Sequence, residues 1–210
     1  MKSILDYSEL IKEIPVNNQS TKIKKEVWER INYPKKQIIE NSIFSTSTEV
    51  ELSRMQVKNE TNIRKKIIMI LMWGYPTGGR GNNIEKLLKD FDKLEQIFSK
   101  YKNINLEKKE FMDIVSLFNS IKGLGISTWT KFLYFFDISV DSLKCEIFDL
   151  KILESLNKKQ FSEINEKNWI QDVDNYFDYL ILLNSISKKI IAEPDQVEIF
   201  LFYFNLYYKF

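Results

Sequence analysis

Any chemistry in this chain must run on carboxylates, lysines, hydroxyls, aromatic rings and backbone amides. Its 210 residues include no histidine and a single cysteine, Cys145. Ser-His-Asp and Cys-His nucleophile chemistry, a histidine general base and His-ligated zinc are thereby excluded. So are an intrachain disulfide and a four-cysteine cluster. Among the groups that remain, Asp149 stands out. It follows the apolar pair Ile147-Phe148 and opens a helix of the form Leu150-Lys151-Ile152. A carboxylate at a helix start stays ionised, because the helix dipole favours the anion there. Such a group can stabilise positive charge developing on a sugar or activate an attacking nucleophile. The plain alternative is an N-cap and nothing more.

A second feature lies upstream, in Ile121-Lys122-Gly123-Leu124-Gly125-Ile126-Ser127-Thr128-Trp129-Thr130-Lys131. One apolar helix ends, a G-x-G turn follows, and hydroxyl residues suited to capping start the next helix. Two glycines let the backbone turn tightly and approach a partner. The free amides at the helix start complete a nest able to hold a phosphate without side chains. Lys122, Gly123, Leu124, Gly125, Ser127 and Thr128 are the expected contacts. The spacing alone fits an ordinary helix-loop-helix corner as well. A third feature, Gly74 to Asn83, holds four of the six glycines. It lacks the G-x-x-x-x-G-K-[ST] signature of a P-loop.

The elements that must position these groups are helices. Helical spacing predicts segments at 3–14, 22–32, 34–43, 61–73, 84–91, 94–101, 106–120, 127–136, 149–156, 169–187 and 195–208, with 44–57 a loop with a short helix and 140–148 partly extended. The 61–73 segment is apolar on too many sides for one stripe, so it is expected to be buried. An apolar fraction of 44% and an aromatic fraction of 14% fit a globular chain. No run reaches the length of a membrane span, and the first residues lack a signal-peptide core, so a cytoplasmic protein is expected. The net charge of +2 neither supports nor excludes nucleic-acid binding. The expected fold class is all-α, about ten helices.

The turn at 121–131 resembles the helix-hairpin-helix motif of the HhH-GPD DNA glycosylase superfamily: an apolar residue, Pro or Lys, Gly-Φ-Gly, then a helix with Thr near its start. That family places a catalytic aspartate about twenty residues on, at the next helix start, where Asp149 stands. Trp129-Thr130 are similar to the Trp-Thr of alkyl-adenine glycosylases. The run from Gly125 through Thr130-Lys131-Phe132-Leu133-Tyr134-Phe135 resembles bacterial members of the branch similar to 8-oxoguanine glycosylases. Residues 195–202 are similar to the family's last helix, where a polar residue and a phenylalanine four positions later hold the flipped base. Glu198 and Phe202 take those places, with Gln196 and Phe200 as the other register.

The resemblance implies a two-lobed helical fold with the active site in the cleft between lobes. The glycosylase-like core would be 61–210, with the hairpin at about 112–136 and the catalytic-aspartate helix at 149–157. Residues 1–60 match nothing and are expected to form a helical segment packed on the core. The implied activity is excision of a modified base from duplex DNA, oxidised guanine by default, in base excision repair. Two alternatives stay open: excision of a hypermodified cytosine from phage DNA as antiviral defence, and a hairpin that only grips DNA. Members with lyase activity use a lysine early in the second hairpin helix. Lys131 lies about four residues late for that role, whereas counting back from Asp149 puts Trp129 there, so lyase activity is open. Trp73, Tyr75, Trp129, Glu198 and Phe202 are candidates for the base pocket. Arg80, Asn82 and Asn83 are candidates for the pocket or for the gap the base leaves. No cofactor and no side-chain metal site are expected. Carbonyls near Ile121 and Gly123 are what the resemblance offers a structural monovalent cation. It also implies a monomer.

Overall fold

The computed structural model describes residues 2–164 and 167–207. Its α-helices are α1 (Ser8–Lys12), α2 (Lys25–Trp28), α3 (Lys36–Phe44), α4 (Arg54–Asn59), α5 (Ile63–Gly74), α6 (Asn83–Leu88), α7 (Phe91–Tyr101), α8 (Lys108–Asn119), α9 (Ile126–Phe135), α10 (Leu150–Asn157), α11 (Val173–Ile190) and α12 (Pro194–Tyr207). The fold is all-α, as the residue pattern predicts, with two small sheets as additions. The expected end of the last helix at Tyr208 lies outside the described residues. No helix among those described is long and apolar enough to cross a membrane.

Helix α5 is the central strut. Seven consecutive residues, Ile67 to Trp73, are buried, and it packs against α7, α9 and the first sheet. Its start is set by Asn62, whose side chain accepts the Lys65 amide. The aromatic residues fill the space between helices. Phe98 stacks on Phe136 at 4.4 Å, and Trp129 lies within a cluster of Phe111, Phe118 and Tyr176. On the other side, α10 and α11 both pack on α12.

The N-terminal segment corrects one expectation. The residues read as a helix over 22–32 begin as a strand, β1 (Ser20–Lys24), and only 25–28 are helical. β1 pairs antiparallel with β2 (Glu49–Ser53), part of the region expected as loop. The pairing partners lie some 30 residues away in sequence, and Ile23 and Leu52 are its buried members. Long-range pairing of this kind overrides local helical spacing. Ser53 then caps α4 with a reciprocal bond from Gln56. The second sheet consists of β3 (Asn105–Leu106), β4 (Ser139–Val140) and β5 (Leu143–Lys144). It ties the chain before α8 to the chain after α9.

The hairpin is α8, a turn over 120–125, and α9. Gly123 has φ +87, and a Cβ there would meet the Asn83 carbonyl oxygen at 2.3 Å. The Gly-rich loop thus braces the hairpin turn from behind. Gly125 has φ −83 as the N-cap of α9, and nothing lies within 4 Å of its would-be Cβ. The two glycines therefore predict opposite outcomes. Gly123→Ala loses on the order of 1–3 kcal/mol of unfolding free energy in a denaturant titration, whereas Gly125→Ala stays within about 1 kcal/mol of wild type.

Candidate active site

Asp149 is the N-cap of α10, and its placement is over-determined. Its Oδ1 accepts the amides of Lys151 at 2.9 Å and Ile152 at 3.2 Å. The extended run before it is buried, so its backbone groups need partners from other elements. The Phe148 amide donates to Thr130 Oγ1 at 3.2 Å. The hydroxyls of Tyr176 and Tyr179 donate to the carbonyls of Glu146 and Ile147, each at 3.1 Å. Helices α9 and α11 thereby fix where α10 begins.

With Oδ1 committed to the helix, Oδ2 faces Lys131, whose Nζ lies 3.5 Å away. The lysine is buried at 4% exposure. Its Nζ donates to the Ser127 carbonyl one turn earlier at 2.8 Å and sits 5.5 Å from the centre of the Tyr75 ring. Tyr75 is anchored through its hydroxyl to Thr128 Oγ1 at 2.6 Å. Gly74 makes room for the lysine stem, since a Cβ there would meet Lys131 Cδ at 2.8 Å.

Lys131 and Asp149 line a cavity of about 200 Å³ together with Gln19, Ser20, Thr21, Arg54, Trp73 and Glu198, closed by Ile147, Phe202 and Tyr203. Arg54 and Glu198 are each 1% exposed and form an ion pair, Nη2 to Oε2 at 2.7 Å. The guanidinium carbon lies 5.3 Å from the centre of the Trp73 ring and 4.8 Å from that of Tyr134, and its Nε donates to Gln19 Oε1 at 2.5 Å. Burial pushes the Glu198 carboxyl up to about 7, with Arg54 pulling the other way. Burial pulls the Arg54 guanidinium down, but Glu198 and Tyr134 outweigh it and the net shift is upward. Burial, with Asp195 and Glu198 nearby, also raises the Glu146 carboxyl well above its usual range. Burial pushes the Cys145 thiol up to about 12, which makes it a poor nucleophile.

Of the expected residues, Asp149, Lys131, Trp73, Glu198 and Phe202 come together at this cavity. Gln196 instead donates to the Lys12 carbonyl at 2.6 Å, away from it. Trp129 is a core residue within the aromatic cluster. Two positions along an α-helix are about 200° apart, so Trp129 and Lys131 leave α9 on opposite sides. Arg80, Asn82 and Asn83 are exposed on the loop behind the hairpin and do not line the cavity. In the turn, Lys122 and Gly125 are exposed, Gly123 and Ser127 partly so, and Leu124 and Thr128 buried. The Thr128 hydroxyl therefore serves Tyr75, and Ser127 Oγ accepts from Gln171 Nε2 at 2.7 Å. The Ile121 carbonyl accepts the Leu124 amide at 3.2 Å. No cluster of three or more acidic or cysteine ligands occurs among the described residues.

Arg54 was not singled out by sequence, nor were Gln19, Ser20 and Thr21. The available signal was scarcity: Arg54 is one of four arginines in a chain that otherwise uses lysine, and a forked, rigid guanidinium suits a buried pair.

The raised carboxyls set the sign of a pH effect. Glu198 and Glu146 keep a proton in the folded state at pH values where the unfolded chain has released it. Their contribution to stability is whole below about pH 4.5, the ordinary carboxyl value, and is lost as pH rises through each raised value, about 7 for Glu198. For Glu198 the loss is on the order of 3 kcal/mol. Denaturant midpoints are expected to fall between pH 5 and 8, and less steeply in Glu146→Gln. A midpoint that rises over that window contradicts the assignment.

Comparison with known proteins bears on what this cavity serves. Searches of curated proteins and of solved structures found no match. A family model does match, over residues 14–202, and takes in most of the N-terminal segment that contributes Arg54. Nearly the whole chain is covered, so the protein belongs to the family described as "Putative 8-oxoguanine DNA glycosylase OGG-like protein".

Proposed function

We propose that the chain is a bifunctional DNA glycosylase that flips an oxidised guanine out of duplex DNA into the cavity, releases it, and then nicks the strand. The observation that carries this reading is the Lys131 Nζ to Asp149 Oδ2 approach of 3.5 Å at the cavity wall, in a chain of a DNA glycosylase family. A buried lysine beside a carboxylate is the arrangement that amine nucleophilic catalysis requires.

The Lys131 ammonium first gives a proton to Asp149. The neutral amine attacks C1′ of the sugar, the C1′–N9 bond breaks, and the base leaves with the electron pair and takes up the proton that Asp149 received, which returns Asp149 to its carboxylate form. Positive charge that builds on the sugar in this step faces the Asp149 carboxylate, held in place by two backbone amides. The attached amine gives a further proton to Asp149, the nitrogen lone pair then forms a protonated Schiff base at C1′ as the C1′–O4′ bond breaks, and O4′ keeps the electron pair and takes up that proton. Removal of a C2′ proton then expels the 3′ phosphate. Ser127 holds the amine through its carbonyl, and Tyr75 shields it from bulk water.

The base must leave the stack to reach these groups. Trp73 and Phe202 offer ring faces for it. The hairpin amides at the start of α9 are suited to the flanking phosphate, with Lys122 exposed beside them. A cavity of about 200 Å³ is smaller than the roughly 300–1,000 Å³ of drug-sized ligand sites. It favours a single purine over a glucosylated cytosine, and so favours repair over antiviral defence.

The test is a panel of duplexes carrying 8-oxoguanine, uracil, alkylated adenine or glucosylated hydroxymethylcytosine. Strand scission without alkali is expected on 8-oxoguanine. Asp149→Asn is expected to lower the single-turnover rate by roughly 10²–10⁴ while binding DNA with the same salt dependence. Salt-dependent binding by both proteins, with no base released from any duplex, would leave a DNA grip without chemistry.

A further inference from the structure

We propose that Arg54 and Glu198 act together as a clamp for the six-membered-ring edge of the extruded purine, Arg54 donating to its C6 keto oxygen and Glu198 accepting from the adjacent N1–H. This rests on the glycosylase reading above and adds to it the class of base the site accepts. The two residues line the same cavity as Lys131 and Asp149. Their pairing uses one donor and one acceptor, Nη2 and Oε2. Arg54 Nη1 is buried with no acceptor among the described residues, and Glu198 Oε1 is the carboxylate oxygen that the ion pair does not use. A buried donor without a partner costs free energy until a ligand supplies an acceptor, and the second oxygen of the Glu198 carboxylate lies beside it on the same side-chain pair.

That pattern is specific. Guanine and hypoxanthine present a keto oxygen next to a ring N–H, which is acceptor next to donor. Adenine and cytosine present an amino group next to a bare ring nitrogen, the reverse order. Against the clamp, the reversed edge sets donor against donor and acceptor against acceptor. The guanidinium cannot swivel to adapt. Its Nε is tied to Gln19, it packs on the rings of Trp73 and Tyr134, and Glu198 fixes its outer nitrogen. Sites built to hydrogen-bond one pattern discriminate strongly, because the wrong substrate leaves their buried polar groups unpaired. Arg54 is thus a positioning and specificity residue, supplied by the N-terminal segment and not by the hairpin core.

Single-turnover base release from duplexes carrying 8-oxoguanine, 8-oxohypoxanthine or 8-oxoadenine tests this. With the wild-type protein, the first two are expected within about tenfold of each other and the third about 100-fold slower or more. In Arg54→Lys and in Glu198→Gln, the 8-oxoguanine to 8-oxoadenine rate ratio is expected to fall about tenfold. This ratio does not depend on how much of a variant is folded, so a purely structural role for Arg54 would leave it unchanged. A wild-type ratio below about tenfold, an unchanged ratio in either variant, or 8-oxohypoxanthine as slow as 8-oxoadenine overturns the clamp while leaving the glycosylase standing. Release of no oxidised base from any duplex overturns both.

Discussion

An ammonium group held inside a protein needs oxygen atoms around it, because nothing else replaces the water it gives up. Lys131 meets that need with a carbonyl of its own helix and a carboxylate of another. Much of the molecule follows from keeping those oxygens in place. Asp149 must cap α10 for Oδ2 to face the lysine. Thr130, Tyr176 and Tyr179 must hold the buried run 146–148 for α10 to start where it does. Helix α5 must end in a glycine for the lysine stem to pass. The arrangement positions an amine and a carboxylate without a histidine anywhere in the chain, and it explains how base-excision chemistry is open to such a composition.

The second requirement is the rest of the cavity wall, to which the N-terminal segment contributes. β1 and β2 seat Gln19 to Thr21 at the cavity, and the capping box at Ser53 starts α4 so that Arg54 points inward. Burying an arginine and a glutamate at 1% exposure repays its desolvation only when the geometry is good. Here two further carboxyls, Glu146 and Asp195, lie close enough to influence Glu198 or each other. A chain selected for stability alone has little reason to gather so much charge in its interior, so the cluster points to a role in the site. The cavity thus draws its lining from both sides of residue 60.

Legibility in the sequence followed locality. Helix α5 was readable because its apolar residues exceed one face, and the hairpin because two glycines and a capping pattern are local signals. Asp149 was readable for the same reason. Lys131 was ambiguous because its register was counted along the chain from two ends. Rotation about the α9 axis decides the matter, turning Lys131 to Asp149 and Trp129 into the aromatic core. Glu198 and Phe202 share the cavity because positions four apart lie on one helix face, whereas Gln196 looks toward α1. Strand β1 was misread as helix because its partner lies some 30 residues on. Arg54 left no pattern at all, since burial of a charge depends on a partner 144 positions away.

The central claim is that Lys131 forms a covalent bond to the sugar, and reductive trapping tests it most directly. The protein is incubated with an 8-oxoguanine duplex and sodium borohydride, and the adduct is mapped by mass spectrometry. A stable protein–DNA adduct on Lys131 is expected, and none from Lys131→Gln. An adduct on another amine, an adduct that persists in Lys131→Gln, or base release with no adduct at all would contradict it.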